Sequence, residues 1–121
     1  MSEEVIPRKG QIGTVFTATI EEPNPNFDPS QPEGPTNLKF LPVDLTNATG
    51  QNEIGFRRPN KTIFNKNATR VSPFTDGKIQ YIDSVSPGVL DMAGLWRIRG
   101  LVKFTDGSEF PGSFTEMRVG K

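Results

Sequence analysis

The chain has 121 residues, the length of one domain, and its fourteen Lys and Arg balance fourteen Asp and Glu to a formal net charge of zero. It has no Cys and no His, which excludes disulfide frameworks, thiolate and zinc sites, and Ser-His-Asp or Cys-His nucleophile systems. A neutral chain sets up no single-sign field for a nucleic-acid backbone, and no apolar run is long enough to span a bilayer, so neither nucleic acid nor membrane is expected as a partner. The start, Met1-Ser2-Glu3-Glu4-Val5, is acidic where a secretory signal is basic, and synthesis in the cytoplasm is expected.

Residues 1–10 are expected to be a flexible N-terminal arm, either a loose end or a contact arm used in assembly, with one β domain over 11–121. Residues 11–21 read as the first strand, with Val15, Thr17 and Thr19 alternating with Phe16, Ala18 and Ile20 and the Phe16 side facing inward. Residues 22–36, EPNPNFDPSQPEGPT, hold five prolines and predict an extended loop, because proline cannot serve a helix interior or a central strand. Phe27 in that loop either pins it to its own domain or docks into a neighbouring subunit. A short strand over 37–43 leads to Asp44, placed to cap a single turn that dips Leu45 inward and passes Ala48 near the core.

Residues 53–58 alternate again, with Ile54 and Phe56 inward; Pro59-Asn60-Lys61 turns the chain and Thr62-Ile63-Phe64 returns it as a hairpin. Residues 65–73, with Ala68 and Val71 ahead of Phe74, read as a loose strand or a crossover. Thr75-Asp76-Gly77-Lys78 is a turn, and residues 78–83 form a strand with Ile79, Tyr81 and Val85 on one side until Ser86-Pro87-Gly88 breaks it. Residues 89–94 then carry Leu90 into the core.

The organising strand is 95–104. Trp96, Ile98, Val102 and Phe104 share one face with Gly100 in their row, and Arg97, Arg99 and Lys103 lie opposite. After the turn at 105–108 its partner runs over 109–119, interrupted by Pro111-Gly112 as at a bulge or an edge, and the apolar face has to change side along it. The whole predicts an all-β, immunoglobulin-like β-sandwich of about seven to eight antiparallel strands, with a small barrel as the alternative.

No catalytic, cofactor or metal site is expected, and the chain does not read as an enzyme. Asp76, Asp83, Asp91 and Asp106 are the carboxylates available for an acid-base pair, but Asp76 and Asp106 sit in Asp-Gly turns that use the side chain locally. Asp44, Asp83 and Asp91 offer oxygens to calcium without the spacing of a calcium loop. Arg57, Arg58, Arg97, Arg99, Lys39, Lys61, Lys66 and Arg70 are not interleaved with aromatics as a single-strand stacking platform requires. The glycan-acceptor patterns at Asn47, Asn60 and Asn67 read as turn residues. For a sugar ligand, Tyr81 and Trp96 are the available platform.

The segments PVDLTNAT (42–49), EIGFRRPNKTI (53–63), DGKIQYI (76–82) and LDMAGLWRIRGLVKFTDGSEF (90–110) resemble the small domains of tailed-phage baseplate and tail accessory proteins. They are similar in particular to the N-terminal domain of the lactococcal-type upper baseplate protein. Asn47 stands where that family often has glycine, Pro59-Asn60-Lys61 replaces Pro-Asp-Gly, and the proline-rich 22–36 segment departs from the family. The resemblance implies a structural protein of a phage virion, in the tail, assembling as a homo-oligomeric ring with other tail proteins. The alternative it implies is a receptor-binding accessory domain of the same particle, with a host-surface glycan as its ligand.

Overall fold

Alternation of apolar and polar side chains drives strand formation, and the computed structural model, which describes residues 7–84 and 88–121, is all-β. The strands are β1 (Thr14–Thr19), β2 (Glu21–Pro23), β3 (Phe40–Pro42), β4 (Glu53–Arg57), β5 (Ile63–Asn67), β6 (Thr69–Arg70), β7 (Lys78–Asp83), β8 (Gly94–Lys103), β9 (Glu109–Pro111) and β10 (Thr115–Val119). A 3-10 turn, Phe74–Asp76, precedes β7. Among the described residues every strand pairing is antiparallel, in three sheets: β1-β7-β6, β10-β8-β4-β5 with β9 also on β8, and β2-β3. The strands exceed the expected seven to eight because β2, β3, β6 and β9 are two- or three-residue pairings, held by their neighbours rather than by an alternating pattern of their own.

β8 is the axis of the larger sheet. β4 runs along one side of it, while β10 and then β9 occupy the other. Trp96, Ile98, Gly100 and Val102 are buried in one row, as the alternation predicts. Gly100 has to be small, since a Cβ there would lie 2.8 Å from Ile20 Cδ1 and 3.0 Å from Ala18 Cβ. Its missing side chain lets the smaller sheet close onto β8. Phe16, Ile20 and Ile79 then meet Ile54, Phe56, Trp96 and Val102 in one core, with Phe16 edge-on to Phe56 at 5.0 Å between ring centres.

The change of face between β9 and β10 is a bulge. Leu101 pairs with Pro111 and Ile98 with Thr115, so Arg99 and Gly100 lie opposite Gly112, Ser113 and Phe114. That extra residue moves the inward positions from Phe110 to Met117 and Val119. At the other side of the molecule the crossover reading of 65–73 holds: β5 ends in the larger sheet, β6 starts in the smaller one, and Ala68 between them donates to Asn52 O at 2.8 Å. The return strand of the hairpin is longer than its expected 62–64, because β5 continues to Asn67 opposite Glu53.

Residues 1–6, Val85 and Ser86-Pro87 lie outside the described residues. Of the N-terminal arm, Arg8 makes a parallel bridge to Gly120, with Lys9 N–H donating to Gly120 O at 2.8 Å and Gly120 N–H to Pro7 O at 2.9 Å. The first strand, expected over 11–21, divides into β1 and β2 at Ile20. The start of the 22–36 loop is drawn into β2, and the strand expected over 37–43 pairs only at Phe40–Pro42. The rest of the proline-rich segment folds on itself: Asn24 Nδ2 donates to Leu38 O, Asn37 Nδ2 to Asp28 O, and Asp28 N–H to Asn37 Oδ1. Phe27 is half-buried there.

Asn52 is a buried polar hub. Its Nδ2 donates to Ala48 O at 3.0 Å and its Oδ1 accepts from Lys103 N–H at 3.0 Å, tying the loop before β4 to the end of β8. Asn52→Ala strands both backbone groups and is expected to cost about 2 kcal/mol, read from urea unfolding.

Candidate functional site

One local device orders four of the turns. In Asp28-Pro29-Ser30, Asp44-Leu45-Thr46, Asn60-Lys61-Thr62 and Asp106-Gly107-Ser108, the first residue's Oδ1 accepts the backbone N–H two residues on at 2.9–3.1 Å and that residue's hydroxyl at 2.6 Å. The carboxylates of Asp28, Asp44 and Asp106 are consequently held below the ordinary Asp range, first by the Ser or Thr hydroxyl and then by the backbone N–H. Asp44 thus makes the expected turn, with Leu45 and Ala48 fully buried behind it.

Asp91 takes a different partner. Arg58 grips it with two groups, Nε to Oδ1 at 3.0 Å and Nη2 to Oδ2 at 3.0 Å, and this hydrogen bonding holds the Asp91 pKa down. The same guanidinium lies 4.4 Å from the centre of the Phe64 ring and donates to Thr62 Oγ1 at 3.2 Å. Arg58 therefore clamps the β4–β5 hairpin to the segment that enters β8.

A carboxylate with a depressed folded pKa contributes stability that is present above the unfolded value of about 3.9 and is lost as pH falls through the lower folded value. With no His to titrate near neutrality, the melting temperature is expected to be flat from about pH 5 to 7 and to fall below about pH 4. Asp28→Asn, Asp44→Asn and Asp106→Asn together keep the accepting Oδ1, so the triple variant is expected to lose less stability on acidification, measured by melting curves at stepped pH.

The predicted carboxylates do not converge. Asp83 is buried and accepts from Val89 N–H at 2.8 Å, Asp91 is engaged by Arg58, Asp106 serves its own turn, and Asp76 ends the exposed 3-10 turn. Among the described residues no three His, Cys, Asp or Glu side chains come together as a metal would need. Neither the Arg58 clamp nor the buried Asn52 was visible in the sequence. The clamp joins residues 33 apart, and no local pattern announces either; the Asx-x-Ser/Thr turns, by contrast, carry a sequence signature.

The arginines of the basic set divide into two groups. Arg58 and Arg70 are structural: Arg70 Nη1 donates to Leu45 O and Thr46 O, and its guanidinium stacks on Phe74 at 4.1 Å. Arg57, Arg97 and Arg99 share the outer face of the larger sheet, where Arg57 stands directly opposite Arg97. There Arg97 pairs with Glu116 at 3.6 Å and Arg99 covers the Phe114 ring at 4.7 Å. Lys39 and Lys66 lie apart from this face, on other elements. Arg57 and Arg97 join Lys61 around a shallow hollow of about 400 Å³. Lys61 itself has φ +73° at the Pro59-Asn60-Lys61 turn, so Lys61→Gly is expected to stabilise the chain by about 0.5–1 kcal/mol, read from urea unfolding.

Tyr81 and Trp96 do not form an exposed platform. Trp96 is fully buried and donates Nε1–H to Met92 O at 2.8 Å, and Tyr81 packs in the aromatic cluster against Phe16 and Phe56. Asn60 Oδ1 is taken by its turn and Asn67 Oδ1 accepts from Gln51 Nε2 at 2.7 Å. A second concave feature is a groove of about 280 Å³ between β1 and β10, floored by Phe16, Ala18, Ile98 and Met117 and rimmed by Val15, Thr and Ser residues and Glu116. This apolar floor beside two sheet edges suits an extended peptide backbone. No protein-family model, curated protein or solved structure matches the chain.

Proposed function

We propose that the chain is a structural protein of a phage virion, a tail or collar/baseplate component built on an immunoglobulin-like β-sandwich and working through subunit contacts. Strand order supports the immunoglobulin-like part of this reading, and the resemblance of its framework segments supports the rest. Taken in chain order, β1-β7-β6 and β10-β8-β4-β5 correspond to the B-E-D and G-F-C-C′ strands of the immunoglobulin arrangement, with their inner faces meeting at Phe16 and Phe56. Trp96 then lies on the F-like strand rather than on C, a departure from antibody domains.

The segments that resemble phage tail domains fall on the framework of this arrangement. Residues 42–49 hold the Asp44 turn, 53–63 the β4–β5 hairpin, 76–82 the entry to β7, and 90–110 the axis β8 with its turn. Such a subunit acts by presenting one patch to a different patch of its neighbour in a ring, and by contacts with other tail proteins. It needs no cofactor and turns over no substrate. Because a fold by itself does not select a function, the test is location. Gold-labelled antibody against the chain is expected to mark the tails of purified particles in electron micrographs. Unlabelled particles, with the protein recovered only in the free fraction, would overturn the reading.

A further inference from the structure

Sheet edges are the surfaces through which strands recruit other strands, and proteins blunt them with charge, proline, bulges or brevity. Among the described residues, every edge strand but one is blunted. β2 carries Glu21, Glu22 and Pro23; β3 ends at Pro42; β5 carries Lys66; β6 is two residues long and includes Arg70. On the other edge β9 has Glu109 and Pro111, while β10 has Glu116 and Arg118 and is followed by Gly120 in its bridge to Arg8. The exception is β1, Thr-Val-Phe-Thr-Ala-Thr, with no charge, no proline and an unbroken six-residue register on β7.

The free side of β1 can be read from its neighbour. Ile20 N–H donates to Gly77 O at 2.7 Å on the β7 side, so the alternating residues Val15, Thr17 and Thr19 direct their N–H and C=O groups away from β7. The groove toward β10 leaves that side open. Val15 is 52% exposed, and its cross-strand partner Ile82 is 51% exposed, an apolar pair on the outer face next to the same edge.

We propose that β1 is a homotypic docking edge: a second copy of this chain pairs its own β1 antiparallel to it, with Thr17 at the two-fold axis and Val15 opposite Thr19. A strand without charge is complementary to itself in this orientation, since β1 sets no charge of its own against its copy, and an isologous contact makes the same hydrogen bonds twice. The two small sheets join into one continuous sheet and the Val15–Ile82 patches lie on a shared face. This isologous contact is additional to the heterologous ring contact proposed above: it pairs two subunits and does not itself close a ring.

The test uses the full chain, whose lack of cysteine makes a single introduced thiol unambiguous. Thr17→Cys is expected to oxidise to a disulfide-linked dimer well ahead of Gln31→Cys on the exposed proline-rich loop, because residues facing each other in a hydrogen-bonded pair are about 5.5 Å apart, within disulfide reach. Light scattering from micromolar to millimolar protein is expected to show the wild-type mass rising toward twice the monomer. Thr17→Pro is expected to stay monomeric with unchanged circular dichroism, since the lost N–H serves no bond to β7. A wild type that stays monomeric, a Thr17→Cys chain no faster to cross-link than Gln31→Cys, or a Thr17→Pro chain that still dimerises overturns the proposal. So does a monomer that Thr17→Pro destabilises, which assigns the edge to the chain's own residues. Each of these leaves the location of the protein in particles to be decided separately.

Discussion

Trp96→Ala is expected to lower the unfolding free energy by about 3–5 kcal/mol, a large part of the roughly 5–15 kcal/mol that holds a domain of this size together. Trp96 has no exposed surface, stands opposite Met117 of β10, and meets Phe64 edge-on at 6.1 Å. Its indole N–H also satisfies the Met92 carbonyl in the lead-in to β8. Removing the side chain opens a cavity where the hairpin and the central strand meet and leaves that carbonyl without its partner. Trp96→Phe keeps most of the apolar area and loses the hydrogen bond, so about 1–2 kcal/mol is expected. Urea unfolding followed by circular dichroism measures both, since the variants lack the only tryptophan and its fluorescence. A loss below about 1 kcal/mol for Trp96→Ala would mean that the core does not depend on β8 as described.

Gly77→Ala is expected to cost about 2–5 kcal/mol, from left-handed backbone strain together with overpacking. Gly77 has φ +68° at the end of the 3-10 turn, and a Cβ there would sit 2.6 Å from Ile20 O and 3.0 Å from Val43 O. Both contacts are to backbone, which cannot swing aside as a flexible side chain can. The same point joins three segments, because Ile20 donates to Gly77 O and Val43 donates to Ile20 O. Gly107→Ala separates the two causes: its φ is +90°, but nothing lies within 4 Å of the added carbon. It should therefore lose only the backbone part, about 1–2 kcal/mol. Equal losses at the two positions, measured by urea unfolding, would show that the crowding at Gly77 carries no weight.

The parts of the fold that sequence reasoning reached are those where one residue's environment repeats every second position. The Trp96, Ile98, Gly100, Val102 row, the Ile54 and Phe56 pair, and the change of face after Pro111-Gly112 are of this kind. Asn65-Lys66-Asn67 has no apolar alternation to read, because the half-buried inward position opposite Ile54 is filled by Lys66 at the sheet edge, and its strand character comes from pairing with β4. β2 and β6 are likewise strands only because a partner is present. In the sequence Arg58 is only one of a basic set beside Arg57; its partner Asp91 and its ring contact with Phe64 come together through the fold. Asn52 looks like a loop residue in the sequence and becomes a hub only because Ala48 and Lys103 converge on it. The turn device at Asp28, Asp44, Asn60 and Asp106 is written locally, in the hydroxyl two residues after each.

The proposed role as a built-in part of a phage particle turns on whether the chain stays with purified tails. Quantitative mass spectrometry of gradient-purified tailed particles tests it most directly. The account predicts that the chain co-purifies at a fixed, integral copy number relative to the tail proteins and keeps that ratio through salt washes. Loss of the chain from the particles on washing, or a copy number that varies from one preparation to the next, would contradict it.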